Sequence, residues 1–249
     1  MVMEHLDVIV YRKKEIVLGI VMKLAAIIAS VYGMYKTMTD VMSFTYFTNL
    51  SNFFIDAVLL VFLVTDVILL ISGGEKVYKR NWQYIIKFMA TISITLTFLI
   101  YLCILAPTSS TGFLNAYLQN GAGSLCVHFI TPVLAILDFL MFDYRYHSTK
   151  AHIIFAVIPP LVYVAFVVIA AGLGVRWNGI MCAPYNFLNF GAPTGWFGFD
   201  LSLMGADTLG IGVGYMILVL LGIFIGIGEG YLALKNRRQK AMRAKLRKR

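Results

Sequence analysis

The chain has 249 residues, of which 60% are hydrophobic and 13% are charged. Because an average soluble domain has about 25% charged residues, this composition excludes a soluble enzyme and predicts an all-α membrane protein with one transmembrane domain. The net charge of +9 does not indicate a nucleic-acid partner, since nine of the 21 Lys and Arg residues lie in the last fifteen positions and others flank apolar runs, as membrane topology requires.

Six apolar runs are long enough to cross a bilayer, which takes about 20 helical residues. We therefore expect a bundle of six transmembrane helices within residues 1–234, followed by a basic tail at 235–249. In chain order, the helices are expected at about 16–35, 47–72, 86–106, 124–142, 151–174 and 209–234. The first run lacks a small-x-small cleavage site, so we expect it to remain as a helix.

The positively charged residues predict the orientation. Of the 21 Lys and Arg residues, 18 fall on one side of the predicted spans, in the N-terminal segment, two connections and the tail. Only Lys36 and Arg176 fall on the other side, and Lys23 lies inside a run. Because cytoplasmic connections carry an excess of Lys and Arg, we expect a multi-pass protein of the cell membrane with both termini in the cytoplasm. The tail is expected to attract anionic lipid headgroups.

The two long connections on the outer side differ in composition. Residues 107–123 contain three glycines and no charged residue, which predicts a loop. Residues 175–208 are rich in aromatic residues, and aromatic rings prefer the headgroup level of a membrane. The second connection is therefore expected to fold back onto the bundle, either as a lid or as an interfacial belt.

The fourth run carries an imidazole and a carboxylate in a stretch that is expected to lie in the membrane. His128 and Asp138 share one helical stripe with Thr131 and Ala135, so we expect this stripe to face protein. Inserting a charged residue at the centre of a transmembrane helix costs about 2.5 to 3.5 kcal/mol. An ionisable residue at such a position is therefore a candidate functional residue. The alternative is that both are buried structural groups.

The second run opens with the sequence YFTNLSN. Thr48, Asn52 and Asp56 are spaced by four residues and share one face, with Ser51 beside it. Thr48 and His128 both lie near the outer ends of their helices, so we expect them at one depth. A hydroxyl beside an imidazole base is the minimal pair for nucleophilic catalysis, and Asn52 or backbone N–H groups would stabilise an oxyanion. The alternative is that both side chains only bond their own or neighbouring helices.

A second group of ionisable residues is predicted near the cytoplasmic ends of the helices. Counting about 1.5 Å per residue, the sequence places four such residues at a similar level: Lys23, Asp66, Asp138 and Glu229. One cation among three acids favours a structural ion-pair network. Snorkelling to the interface and a proton or cation path are the alternatives.

The sixth run has glycines at 222, 226 and 230, a small-residue face that favours close packing of another helix over a hinge. No two of the four histidines form a helical ligand pair, so no metal site is predicted. No cofactor is expected either.

Three short motifs in this order resemble one known family. They are YFTNLSN at the start of the second helix, the pattern from His128 through Pro132 to Asp138, and APYNFLNF in the last outer connection. The chain is similar to the androgen-induced and androgen-dependent membrane proteins and, more closely, to their prokaryotic six-helix relatives of unassigned function. In the eukaryotic members a threonine and a histidine in the membrane hydrolyse fatty acid esters of hydroxy fatty acids. The resemblance implies these roles for Thr48 and His128.

Two classes of function follow from the sequence. The first is a membrane-embedded hydrolase of a lipid ester, possessing a Thr48 nucleophile and a His128 base, with a fatty acyl ester as substrate. The second is a non-enzymatic membrane protein that binds lipid or handles protons or ions through its intramembrane polar groups. The oligomeric state is left open.

Overall fold

The computed structural model describes residues 13–72, 81–107, 109–143, 149–200, 202 and 210–247. In these ranges every regular element is helical, and the extended pairing consists of isolated bridges. The helices, in chain order, are α1 (Lys13–Thr37), α2 (Phe47–Ile71), α3 (Asn81–Ile100), α4 (Phe113–Leu125), α5 (Thr131–Phe142), α6 (Ile154–Gly172) and α7 (Val213–Arg247).

Two π-helical turns extend these helices. Tyr101–Leu105 continues α3, and Cys126–Ile130 joins α4 to α5. Shorter 3₁₀ turns occur at Val41–Thr45, Lys150–Ile153 and Asn186–Leu188. π-helical turns inside α-helices are rare and frequently lie at functional sites.

Six helical stretches in the described residues are long and apolar enough to cross a membrane, which agrees with the six predicted runs. Their bounds are Lys13–Thr37, Phe47–Ile71, Trp82–Cys103, Phe113–Phe142, Lys150–Gly172 and Val213–Arg238. We name the bundle end that carries residues 38–46, 109–112 and 173–200 the loop side. The opposite end, where α7 continues beyond its apolar part, is the tail side.

The fourth span begins earlier than predicted, because residues 107–123 are not simply a loop. Helix α4 starts at Phe113, and the chain leaves helical geometry only at Gln119–Ala122. Asn120, Gly121 and Ala122 have φ angles of 54°, 60° and 65°, a left-handed conformation that glycine and asparagine adopt most easily. This break bends the chain just before the segment that carries His128.

The last helix also departs from the prediction. The expected start at 209 lies outside the described residues, and so do residues 1–12 and 248–249 of the predicted termini. Helix α7 begins at Val213 and runs without interruption to Arg247. Residues 235–247 of the predicted basic tail are therefore helical and continuous with the helix of the sixth span.

The core lies between α1, α2, α3 and α5, with α6 and α7 packed against α3. Its fully buried side chains include Ile55, Leu59, Phe88, Ile92, Phe139 and Phe224. Large apolar residues also lie exposed along the spans, for example Ile28, Val162 and Leu218. Exposed apolar side chains on spanning helices are what contact with lipid requires.

Two glycines let α1 approach the segment before His128 closely. A Cβ atom on Gly33 would lie 2.7 Å from Val127 Cγ1, and one on Gly123 would lie 2.6 Å from Lys36 Cβ. The predicted glycine face on α7 has no such role, because a Cβ at 222, 226 or 230 would meet nothing within 4 Å in the described part of the chain. The glycine-mediated helix contact that positions the site is therefore between α1 and α4.

Candidate functional site

Thr48 lies in the first turn of α2, on the loop side. Tyr46 is the N-cap residue of this helix, but its side chain makes no capping hydrogen bond. The first N–H groups of a helix have no partner within it. Thr48 therefore brings a hydroxyl and a backbone donor without a partner in its own helix to the same place, and it lines a cavity in the loop-side half of the bundle.

His128 lies in the π-helical turn between α4 and α5 and lines the same cavity. Its Nδ1 atom lies 3.0 Å from the carbonyl oxygen of Ser124. A carbonyl oxygen only accepts, so Nδ1 carries the proton in the neutral ring, and Nε2 keeps its lone pair. The geometry thus leaves Nε2 as the basic atom.

The imidazole is held in place by Tyr101, which lies in the other π-helical turn. The two rings are stacked, with centroids 3.7 Å apart and planes inclined by 19°. The Tyr101 hydroxyl donates to the carbonyl oxygen of Ala116 (2.7 Å) and accepts from the Ser124 hydroxyl (2.7 Å). The carbonyl oxygen and the hydroxyl of Ser124 both lie near the imidazole, and the hydroxyl links them to Tyr101 in one hydrogen-bond network.

Asn52 and Ser51 support the site instead of acting in it. The Asn52 side-chain nitrogen donates to the carbonyl oxygens of Thr48 (2.8 Å) and Val127 (3.3 Å), and its oxygen accepts from Ser30. Ser51 donates to the Thr48 carbonyl oxygen (2.9 Å) and bonds Thr97. Asn52 is fully buried and outside the lining of the cavity, and its amide nitrogen already donates to two carbonyl oxygens, which favours backbone N–H groups for the expected oxyanion role. Asn52 instead ties the Thr48 backbone to the residue before His128.

The cavity has two parts that meet at Thr48 and His128. The first is apolar and lies between α2, α3, α6 and α7, and its roughly 570 Å³ of empty space includes space that is open to the exterior. Its lining includes Leu96, Ile100, Pro160, Tyr163, Leu220 and Phe224. The second, with about 1490 Å³ of empty space, is a more polar vestibule on the loop side, and its lining includes Asp40, Ser43, Asn49, Arg176 and Asn178. Thr48 and His128 line both parts.

The connection from 173 to 200 covers this end of the bundle. Trp177 is 1% exposed, and its indole N–H donates to Thr45 Oγ1 (2.8 Å). Ala183 and Leu188 are buried against α6 and the start of α7. The connection thus folds back onto the bundle, as its aromatic composition predicts.

Tyr185, from the same connection, is a second site residue, besides Tyr101, that the sequence does not predict. It lines both parts of the cavity, and the Thr48 N–H donates to its hydroxyl oxygen at 3.4 Å. The ring packs edge-on against Tyr46 and stacks on Phe187. The motif APYNFLNF contains this tyrosine, but its position beside Thr48 depends on how the connection folds.

The other predicted site residues lie deeper in the bundle. Thr131 is fully buried, and its hydroxyl lies 3.4 Å from the carbonyl oxygen of Ala26, between α5 and α1. Both carboxylate oxygens of Asp56 are buried without a hydrogen-bond donor at bonding distance in the described residues. The nearby Ser30 hydroxyl donates to Asn52 at 3.2 Å. Neither Thr131 nor Asp56 lines the cavity.

The structure brings three of the four predicted ionisable residues together toward the tail side. Lys23 Nζ lies 2.6 Å from Asp138 Oδ1 and 3.0 Å from Asp66 Oδ2. Lys23 and Asp138 have side chains with no exposed surface. Glu229, by contrast, is exposed on α7 and lies outside the cluster.

Three further residues complete this tail-side cluster. Lys87 Nζ lies 2.5 Å from both Asp138 Oδ2 and Asp143 Oδ2. Lys235 donates to the backbone carbonyl oxygen of Asp143 at 2.6 Å, and its ammonium lies 3.8 Å from the centre of the Phe139 ring. The cluster thus contains three lysines and three aspartates and joins α1, α2, α3, α5 and α7.

Comparisons of this chain with family models, with curated proteins and with solved structures give no match.

Proposed function

We propose that the protein is a membrane-embedded hydrolase that cleaves a lipid ester with Thr48 as nucleophile and His128 as base. The observation that carries this proposal is that both side chains lie where an apolar cavity meets a polar vestibule. The resemblance of its motifs to the androgen-induced membrane protein family supports the same two roles. A site of this shape suits an amphiphile whose ester lies between its apolar and polar parts.

In the proposed reaction, Thr48 Oγ1 bonds to the acyl carbon while its proton passes to His128 Nε2. The carbonyl electron pair moves to oxygen and forms a tetrahedral oxyanion. When the oxyanion collapses, the ester bond breaks and the departing alkoxide takes the proton from His128. A water molecule then attacks the acyl-threonine in the same way, which releases the carboxylic acid and restores the Thr48 hydroxyl.

The apolar part of the cavity is suited to an acyl chain. Phe224 lines this part of the cavity from α7. It is fully buried and packs edge-on against Phe47. The acyl chain would therefore run from Thr48 toward Phe224, and the alcohol part would face the vestibule.

The orientation belongs to the same proposal. Because the sequence assigns 18 of the 21 basic residues to the side of the N-terminal segment and the tail, the tail side would face the cytoplasm of the cell. Thr48, His128 and Tyr185 would then lie near the outer leaflet, from which a membrane lipid can enter. The basic part of α7 would contact anionic lipid headgroups.

A fluorophosphonate probe with a long alkyl chain tests the nucleophile directly, because it is attacked by an activated hydroxyl. The purified protein should be labelled at Thr48, as identified by peptide mass spectrometry. Labelling should be lost in Thr48→Ala and in His128→Ala. A protein that binds the chain of the probe but is never labelled would instead be the non-enzymatic lipid-binding protein.

A further inference from the structure

The first turn of α2 directs backbone donors at the hydroxyl of Tyr185. The Thr48 N–H lies 3.4 Å from the phenol oxygen. A distance of 3.4 Å is long for an N–H···O bond, which is usually about 2.9 to 3.0 Å. An acceptor that came closer to the Thr48 N–H than the phenol oxygen does would therefore form a stronger hydrogen bond with it.

This place lies beside the nucleophile. The donor N–H and the attacking hydroxyl belong to the same residue, Thr48, so an acyl group bonded to Oγ1 has its carbonyl oxygen near that N–H. In other acyl-transfer enzymes the backbone N–H of the nucleophile serves in the oxyanion hole for this reason. The positive end of the α2 dipole adds to the attraction for a negative oxygen.

Tyr185 supplies a second donor. Burial raises the pKa of Tyr185 to about 12, even though hydrogen bonding from Thr48 opposes the increase. Its hydroxyl therefore keeps its proton at neutral pH. In the present structure the phenol oxygen accepts from Thr48, which leaves the phenol proton available to another acceptor.

We propose that the backbone N–H of Thr48 and the hydroxyl of Tyr185 together form the oxyanion hole of this site, an inference that rests on the proposed ester hydrolysis. The substrate carbonyl oxygen takes the acceptor position that the phenol oxygen now holds, and the phenol becomes a donor to it. Ring contacts with Tyr46, Tyr163 and Phe187 keep the phenol beside this position, so that its hydroxyl stays within reach of the carbonyl oxygen that displaces it.

A structural alternative is that Tyr185 only caps α2, whose own N-cap side chain makes no hydrogen bond. The two roles differ in what they stabilise. A cap affects the folded protein and the binding of every ligand, whereas an oxyanion donor affects only states with a negative oxygen. Two ligands that have the same alkyl chain, of which only one forms an oxyanion, therefore distinguish the capping role from the oxyanion role.

The test compares Tyr185→Phe with the unchanged protein, with Tyr215→Phe as a matched control. Tyr215 is exposed on α7 and lies outside the cavity lining. One ligand is a long-chain alkyl trifluoromethyl ketone, to whose carbonyl carbon Thr48 Oγ1 adds while its proton passes to His128 and the carbonyl oxygen becomes an oxyanion. The other is the alcohol with the same chain, which forms no oxyanion.

For Tyr185→Phe, kcat for a long-chain ester should fall by about 100-fold, the usual effect of removing one oxyanion donor. Affinity for the ketone should fall by a similar factor, while affinity for the alcohol and the KM stay unchanged. Tyr215→Phe should match the unchanged protein. Equal losses for ketone and alcohol, or an unaltered kcat, would overturn the role of Tyr185.

Two further measurements distinguish a failure of the proposed oxyanion hole from a failure of the proposed function. Thr48→Ala should lose all hydrolysis, and if it does not, the proposed function and the oxyanion hole both fail. If Tyr185→Phe does not fold, 3,5-difluorotyrosine at position 185 keeps the hydroxyl and makes it more acidic. The loss of kcat at alkaline pH should then begin at a lower pH than in the unchanged protein, and an unaltered pH profile would refute the proposal.

Discussion

The ring of Tyr101 stacks on the imidazole of His128, with the two centroids 3.7 Å apart. Both residues lie in π-helical turns, one at the end of α3 and the other between α4 and α5. Two rare backbone features therefore meet at a single ring contact. Because a π-helical turn changes the direction of the side chains around it, the contact depends on both turns at once.

This contact predicts that Tyr101 positions the base. Tyr101→Leu removes the stacking and both hydroxyl bonds, so kcat for ester hydrolysis should fall by about 100-fold, the effect expected from a misplaced catalytic group. Tyr101→Phe keeps the stacking and should lose much less. Tyr117→Phe is the control, since the Tyr117 hydroxyl has no partner in the described residues. Full activity in Tyr101→Leu would exclude a positioning role.

Thr48 and His128 should behave as a unit. Thr48→Ala and His128→Ala should each abolish hydrolysis, and the double variant should be hardly worse than either, because removing one member disables the other. Thr48→Ser retains the hydroxyl and should keep measurable activity. The steady-state rates of the four purified variants test this, and additive losses in the double variant would show that the two residues act independently.

Phe224 should limit the length of the acyl chain. Phe224→Ala removes the ring between the cavity and the core, so the preferred ester should become longer by several carbon atoms, as measured by kcat/KM across a series of chain lengths. Phe139→Ala is a useful control, because Phe139 is equally buried but lies toward the tail side. A shift in preference with Phe139→Ala and none with Phe224→Ala would contradict the assigned direction of the chain.

Lys23 should be essential to stability. Lys23→Met leaves Asp66 and Asp138 buried without one of their cations, and breaking a buried ion pair typically costs about 3 to 5 kcal/mol. The free energy of unfolding in detergent should fall by about this amount. Lys36→Met, which changes an exposed lysine of the same helix, should have little effect. Equal melting temperatures for the two variants would show that the cluster does not stabilise the fold.

The proposed orientation predicts which positions are accessible from outside the cell. In a variant without the three native cysteines, Ile180→Cys should react with an impermeant thiol reagent in intact cells, because Ile180 is 84% exposed on the loop side. Lys240→Cys, on the tail side, should react only after the cells are opened. The opposite pattern would mean that the loop side faces the cytoplasm.

The number of spans could be predicted because each apolar run is long and bounded by polar residues. The start of α4 could not, since the segment from Phe113 to Leu118 is short and is followed by Asn120 and Gly121, which normally signal a loop. The sequence pattern correctly predicts the break in the helix at Asn120 and Gly121, but it does not predict the helical segment from Phe113 to Leu118. Similarly, the basic residues of α7 predict a tail, but their composition does not show that the segment is one continuous helix with the sixth span.

The residues around the site could be predicted only in part. Thr48 and His128 were identified by residue type and depth, which depend on local sequence. Tyr185 and Tyr101 were not, because nothing in their sequence neighbourhoods places them beside residues 137 and 27 positions away. Lys87 was missed for a different reason: beside Lys79 and Arg80 it was counted as a charge of the connection, whereas its side chain lies fully buried in α3.

The tail-side cluster also bears on how the chain enters a membrane during synthesis. Lys23 and Asp66 lie on the first two spans, 3.0 Å apart, so these helices can enter as a hairpin that carries one neutral pair. Lys87 enters with the third span, yet one of the acids that hold it, Asp138, is made 51 residues later. The third span therefore reaches its stable position only together with α5. The insertion of α3 thus depends on the insertion of α5.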